Sequence, residues 1–179
     1  MDADDISQII FLLILLALSA FFSSSETALT TVNKIRMRTL AEAGNTKAKK
    51  VLKVTENSPK MLSAILIGNN IVNLSASSLT TSLAIKLFGS VGAGVATGIL
   101  TFLILIFGEV SPKTLATIKA DKISLSIAGF ISVLMVVLTP VIFIINKLSL
   151  GVIFLFGIRQ RHPGARRGRL HPAGRPGQP

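Results

Sequence analysis

The feature that most constrains this chain is a glutamate that directly follows a run of large apolar residues. Residues 101–107 read Thr-Phe-Leu-Ile-Leu-Ile-Phe, and Gly108, Glu109 and, three residues on, Pro112 follow. A carboxylate at membrane depth is costly, so it usually faces a bundle interior or an ion path. The glycine and proline predict a helix break, which is tolerated at this depth only beside a cavity or within protein. This pattern indicates either a cation site or a hydrated glutamate that merely ends a helix at the membrane edge.

The composition is typical of an integral membrane protein. Half of the 179 residues are hydrophobic and the mean hydropathy is +0.66. Several apolar runs reach or approach the roughly 20 residues that span a bilayer. There are no cysteines, and His162 and His171 are the only histidines, so thiolate and histidine metal sites are not expected.

The pattern of apolar runs predicts an all-α membrane protein with three transmembrane helices. The first helix starts in the run Ile6–Phe22, the second covers Met61–Phe88, and the third covers Val91–Phe107 after a turn at Gly89-Ser90. Between the first two helices, residues 34–60 predict two short amphipathic juxtamembrane helices with a turn at Gly44-Asn45.

Charge sets the expected orientation. Residues 34–60 hold eight basic residues against Glu42 and Glu56, whereas the N-terminus is acidic. By the positive-inside rule, we expect a protein of the plasma or inner membrane in which this loop is cytoplasmic and the N-terminus lies on the outer side. The net charge of +11 falls to +5 (13 basic against 8 acidic residues) without residues 159–179, so a nucleic-acid partner is not implied.

The C-terminal third divides at residue 158. Residues 123–158 are apolar and Pro140 predicts a kink or turn within them. Basic residues flank both ends, so this segment crosses the membrane twice, re-enters it, or lies along the interface. Residues 159–179 contain six arginines and no acid, and we expect a disordered basic tail of non-native character after a membrane domain of residues 1–158.

Three polar clusters interrupt the apolar helices, at residues 23–26, 68–77 and 108–112. Asn70, Asn73 and Ser77 share one helix face. By rise per residue, all three clusters can meet in the inner half of the bilayer. Their oxygens are hard donors that suit Mg²⁺, Ca²⁺ or Na⁺. Interhelical hydrogen bonding is an equally good interpretation of the asparagine cluster.

At these clusters the chain resembles a known family. The stretches Phe21–Leu29 (FFSSSETAL), Ile67–Asn73 (IGNNIVN) and Phe107–Lys113 (FGEVSPK) are similar to the three signature stretches of the CorC/CNNM magnesium exporters, in their membrane domain DUF21. The resemblance implies a homodimer with three transmembrane helices in each protomer. It also implies efflux of Mg²⁺, driven by Na⁺ entry, through a site that holds a largely dehydrated ion.

The resemblance also implies a ligand set. The Mg²⁺ ligands would be Ser23 or a neighbouring serine, Asn70, Asn73 and Glu109, with the carbonyl of Gly108 contributing. Family members continue into cytoplasmic CBS domains that bind ATP, often followed by a CorC-type domain. This sequence contains neither, so we expect no ATP site and no nucleotide regulation.

Other functions remain open at this point. A membrane assembly or regulatory module would use the same polar residues as interhelical hydrogen bonds and would pass no ion. An enzyme is not expected, because no Ser/His, Ser/Lys or paired-aspartate arrangement is convincing. A plain channel lacks the long polar stripe that a pore needs.

Overall fold

The computed structural model describes residues 3–155, and every element in that range is helical. The elements are α1 (Ala3–Thr31), α2 (Lys34–Glu42), α3 (Thr46–Glu56), α4 (Ser58–Ile104), a π-helix (Leu105–Val110), α5 (Ser111–Ile118), α6 (Ala120–Val137) and α7 (Thr139–Leu155). The predicted all-α class is therefore confirmed, and the predicted basic tail at residues 159–179 lies outside the described residues.

The turns that were predicted from glycine and proline are present in the structure. Gly44 has a φ of 91° between α2 and α3, and Gly89 has a φ of 69° inside α4, which bends there. Left-handed backbone of this kind favours glycine. Pro140 lies in the first turn of α7, directly after α6 ends, so the predicted kink is confirmed as a junction between two helices.

The number of membrane spans differs from the expectation. Within residues 3–155, four helical segments are long and apolar enough to cross a bilayer: Asp4–Thr31, Ser58–Ser90, Gly92–Ile118 and Ala120–Val137. The first three correspond to the predicted helices, and the fourth belongs to the segment whose course the sequence left open. The predicted count of three is thus not confirmed.

The best-packed part of the protein lies beside the basic helices. Large side chains with at most 2% exposure come from α1, α2, α3, α4 and α6: Leu29, Met37, Val51, Val54, Met61, Ile65 and Ile131. The segment Gly92–Ile118, by contrast, has only 11% of its most apolar window buried. Exposed apolar surface of this extent is typical of a lipid-facing helix.

The amphipathic helices are fixed in place by capping and by one ion pair. Asn45 begins α3 and accepts hydrogen bonds from the backbone N–H groups of Lys47 and Ala48 at 3.0 and 3.1 Å. At the start of α6, Asp121 accepts a hydrogen bond from Arg36 of α2 at 3.1 Å. The Asn45 cap stabilises the first turn of α3, and the ion pair connects α2 to α6, which also packs on α1, α3 and α4.

The chain divides into two compact units after Ile142. The first unit contains α1 to α6 and the start of α7, and it carries all the polar clusters discussed below. In the second unit the structure describes the remainder of α7, where the Lys147 ammonium lies 4.9 Å from the centroid of the Phe143 ring.

Candidate ion-binding site

Ser19 connects the helices that carry the polar clusters. Its side chain, 1% exposed, donates a hydrogen bond of 2.7 Å to Oδ1 of Asn73 on α4. The same hydroxyl lies 3.4 Å from the carbonyl oxygen of Gly108 in the π-helix. An α1 hydroxyl, an α4 amide and a backbone carbonyl of the π-helix therefore meet at one point inside an apolar bundle.

A polar cleft of about 170 Å³ opens at this point. Its lining residues come from α1, α4 and the π-helix: Ser19, Asn73, Ser77, Thr80, Thr101, Ile104, Leu105 and Glu109. Since a single water needs only about 10–15 Å³ of such space, the cleft has room for an ion and several waters. Glu109 is the only acidic residue among these lining side chains.

Glu109 lies in a π-helical turn and does not end a helix. The turn covers Leu105–Val110 and runs directly into α5, with Pro112 in the first turn of α5. The predicted helix break is therefore wrong. The helix continues through a π-turn, and Pro112 is tolerated because it lies in the first turn of α5. Widened turns of this kind are frequent at functional sites and leave carbonyls with less regular partners.

Gly108 allows the π-turn to approach α1 closely. A Cβ atom placed on Gly108 would lie 3.1 Å from the Oγ of Ser19 and 3.1 Å from the Cδ1 of Leu16. These distances are shorter than the optimal carbon contact of about 3.5–4.0 Å. A side chain at position 108 would therefore push the carbonyl away from Ser19.

Among the three adjacent serines, Ser23 has the free hydroxyl. The hydroxyls of Ser24 and Ser25 donate to the carbonyl of Phe21, at 3.0 and 2.6 Å. Ser23 is fully buried, and its Oγ has no hydrogen-bond partner among the described residues. It also lies one helical turn from Ser19 on the same face of α1.

The two predicted asparagines lie in different surroundings. Asn73 lines the cleft, whereas Asn70 is exposed on the described chain and is not among the cleft-lining residues. The neighbouring Asn69 is 8% exposed, and its Oδ1 has no partner in the part of the chain that is described. The structure thus brings Asn73, Gly108 and Glu109 together with Ser19, and it does not bring Asn70 into that group.

An ammonium group already lies beside the glutamate. Nζ of Lys113, on α5, lies 3.0 Å from Oε1 of Glu109 and 3.7 Å from Oε2 of Glu26 on α1. All three side chains are 28–37% exposed. Lys113 therefore links the first polar cluster to the third, in addition to the contacts of Ser19.

The available ligands suit a hard cation bound with moderate affinity. No group of three or more His, Cys, Asp or Glu residues that could hold a metal is found across residues 3–155. The cleft offers instead one carboxylate with hydroxyl, amide and carbonyl oxygens. Mg²⁺ is bound in many proteins by one or two carboxylates while it keeps several waters.

The comparison with known proteins now settles the family. The model of the Cyclin M transmembrane N-terminal domain matches residues 9–168. The chain belongs to the Cyclin M transmembrane domain family. The family assignment predicted from the three signature stretches is confirmed, and the matched region extends beyond the domain boundary predicted at residue 158.

Relatives in bacteria and plants share this domain. The chain is 41% identical over 160 residues to a UPF0053 protein of Haemophilus influenzae, covering 89% of this chain and 38% of the relative. It is 38% identical to the inner membrane protein YfjD of Escherichia coli, with 79% and 33% covered. A chloroplastic DUF21 domain-containing protein of Arabidopsis thaliana is 34% identical, with 86% and 23% covered. The chain thus spans between 23% and 38% of the length of these relatives.

Two members of the cluster are absent from the ligand set predicted from the sequence. Ser19 lies in the apolar run Ile6–Phe22, and its position four residues before Ser23, on the same helix face, is the signal that could have identified it. Lys113 ends the third signature stretch, and its position four residues after Glu109 is the signal that could have indicated the pairing.

Proposed function

We propose that this domain carries Mg²⁺ across the membrane, most simply as an efflux transporter driven by Na⁺ entry. The observation that supports this best is the cleft that a single carboxylate, Glu109, lines together with the neutral oxygens of Ser19 and Asn73 among apolar helices. An ionisable residue in such a position is a functional-site hypothesis by default. Family membership supports the same proposal, and the inner-membrane relative favours a multi-pass protein of the inner membrane.

The proposed ligands follow from the geometry around Ser19. Glu109 supplies the negative charge, and Asn73 and the Gly108 carbonyl supply neutral oxygens from two further directions. Ser23 contributes its free hydroxyl, and Ser19, which the sequence did not single out, exchanges its hydrogen bonds for the ion. One carboxylate gives an affinity that is moderate enough for the ion to leave again, as transport requires.

Asn70 would bind the ion only in a second conformation of the transporter, in which the helices are arranged differently. Its side chain is exposed in the described chain, one turn from Asn73 on α4. Asn70 is offset from Asn73 by about 60° around α4 and by about 4.5 Å along it, so a small rotation of α4 combined with a shift along its axis would exchange these two amides at the cleft. Asn70 would then hold the ion in one of the two states between which the transporter alternates.

We also propose that the domain functions as a homodimer. Gly94 and Gly98 lie on α4 after the bend, and a Cβ on either would meet no described atom within 4 Å. Their small surfaces are thus not used for packing within the described part of the chain. Small residues four apart allow two membrane helices to approach closely.

A membrane assembly module is the second candidate. The hydrogen bond between Ser19 and Asn73 is itself an interhelical contact, and Lys113 already neutralises Glu109. In this function the polar cluster would hold the helices together, and divalent ions would have no effect on the protein. The two candidates therefore differ in one measurable property, which is Mg²⁺ binding.

Calorimetric titration of the purified protein in detergent with MgCl₂ tests the proposal. We expect saturable binding in the wild type and its loss in Glu109→Gln, which keeps the size of the side chain and removes its charge. Glu42→Gln, on α2 among the juxtamembrane helices, is the matched control and should bind as the wild type does. No binding in the wild type, or equal binding in Glu109→Gln, would contradict the proposed site.

A further inference from the structure

Lys113 lies between two carboxylates that belong to different helices. It donates a hydrogen bond to Glu109, four residues earlier, and it lies 3.7 Å from Glu26 of α1. A Glu–Lys pair four residues apart is common on helices and contributes little. The second carboxylate is different, because it comes from another helix and offers the ammonium an alternative partner.

The ammonium and a bound cation would compete for the same carboxylate. Oε1 of Glu109 accepts from Lys113, while Glu109 also lines the polar cleft. A divalent ion at Glu109 would repel the ammonium at this short range. A rotation of the flexible Lys113 side chain toward Glu26 would relieve that repulsion without leaving the ammonium unpaired.

We propose that Lys113 is an internal counter-ion, which a divalent cation displaces from Glu109 onto Glu26. This inference rests on the proposed function, because it assumes that a cation binds at Glu109. Without the ion, Lys113 neutralises Glu109, so no unpaired carboxylate remains at the cleft. When the ion binds, Glu26 holds Lys113 away, and when the ion leaves, the ammonium returns.

The exchange lowers the affinity of the site, and this assists release. Each binding event must break the contact between Lys113 and Glu109, and each release re-forms it. The pair formed by Glu109 and Lys113 is modestly favourable when both groups are partly exposed, so the returning ammonium stabilises the empty site. Glu26 and Lys113 are therefore positioning residues that set the affinity without binding the ion themselves.

Removal of the ammonium should therefore strengthen cation binding. For Lys113→Met, which keeps the length of the side chain, we expect Mg²⁺ to bind about tenfold more tightly in calorimetry. Lys113→Arg retains the positive charge and should bind no more tightly than the wild type. Lys119→Met removes the same charge at a position about 15 Å from Glu109 along the helical rise, and the affinity of this variant for Mg²⁺ should stay within about twofold of the wild type.

A double-mutant cycle tests whether Glu26 acts through Lys113. Glu26→Gln should weaken Mg²⁺ binding about tenfold in the wild type, because the displaced ammonium loses its alternative partner. In the Lys113→Met background the same change should weaken binding less than about threefold. Equal losses in both backgrounds would show that Glu26 acts independently and would overturn the inference.

The outcomes separate this inference from the proposed function. If the wild type binds Mg²⁺ and Glu109→Gln does not, but Lys113→Met binds no more tightly, the counter-ion exchange is wrong and the site stands. If neither the wild type nor Lys113→Met binds Mg²⁺, the proposed function fails and the exchange fails with it. Thermal unfolding of each variant in the absence of ions identifies a misfolded protein, and Lys113→Leu then replaces Lys113→Met in the same cycle.

Discussion

The approach of α1 to α4 beside the site depends on the absence of a side chain at Gly68. A Cβ on Gly68 would lie 2.6 Å from Cζ and 2.7 Å from Cε1 of Phe22. Carbon contacts are optimal at about 3.5–4.0 Å, so the Phe22 ring would have to retreat by about 1 Å. Phe22 is only 6% exposed and its ring packs edge-to-face on Phe21, so it has little room to do so.

Gly68→Ala should therefore destabilise the protein relative to a matched substitution in the interior of α6. Overpacking of this kind costs about 1–3 kcal/mol. Alanine also gains about 1 kcal/mol over glycine in any helix interior, which would hide part of the cost. Gly129→Ala receives the same gain, and the nearest atom to its Cβ is Nζ of Lys50 at 3.9 Å, so this variant isolates the steric term.

Thermal unfolding of the two variants in the same detergent measures the difference. We expect Gly68→Ala to be less stable than Gly129→Ala by about 1–3 kcal/mol, or roughly 2–4 °C in Tm for each kcal/mol. Phe22→Leu should cost less in the Gly68→Ala background than in the wild type, because the shorter side chain relieves the overlap. Equal Tm values for Gly68→Ala and Gly129→Ala would refute the close packing of α1 on α4 described above.

Two further predictions concern the contacts of Ser19 and the bend in α4. Ser19→Ala leaves Asn73 Oδ1 without its donor, so we expect a loss of about 1–3 kcal/mol in thermal unfolding and weaker Mg²⁺ binding in calorimetry; unchanged values for both would show that the Ser19 contacts are unimportant. Gly89→Ala forces alanine into a left-handed conformation (φ 69°) and should cost about 1–2 kcal/mol. Ser90→Ala, the adjacent control, should unfold within about 0.5 kcal/mol of the wild type.

The sequence predicted those parts of the fold that local chemistry determines. Apolar length marked the helices, and the turns at Gly44 and Gly89 followed from the conformational freedom of glycine. The turn at Gly44-Asn45 separated the two amphipathic helices, and the basic residues set the side of the membrane on which they are expected. The number of membrane crossings could not be obtained in this way, because Ala120–Val137 has the length and hydropathy of a span whatever its orientation in the bilayer.

Which polar residues of the candidate site lie together depends on geometry that the sequence does not carry. Gly108 and Pro112 are equally compatible with a broken helix and with a π-turn that leads into a new helix, so the predicted break was wrong. A lone serine in an apolar helix usually bonds to its own backbone, and only the position of α4 shows that Ser19 donates to Asn73. The roles of Ser23, Asn73 and Glu109 as ligands stay predictions.

The proposed site holds a divalent cation in the cleft that Ser19, Asn73 and Glu109 line. Crystallographic anomalous scattering from protein soaked with Mn²⁺, which shares the octahedral oxygen chemistry of Mg²⁺, would locate the ion directly. We expect a peak in the cleft, within about 2.0–2.3 Å of a Glu109 carboxylate oxygen, that excess Mg²⁺ removes. A peak only at the acidic N-terminus, or no anomalous density in the cleft at millimolar Mn²⁺, would contradict cation binding at Glu109.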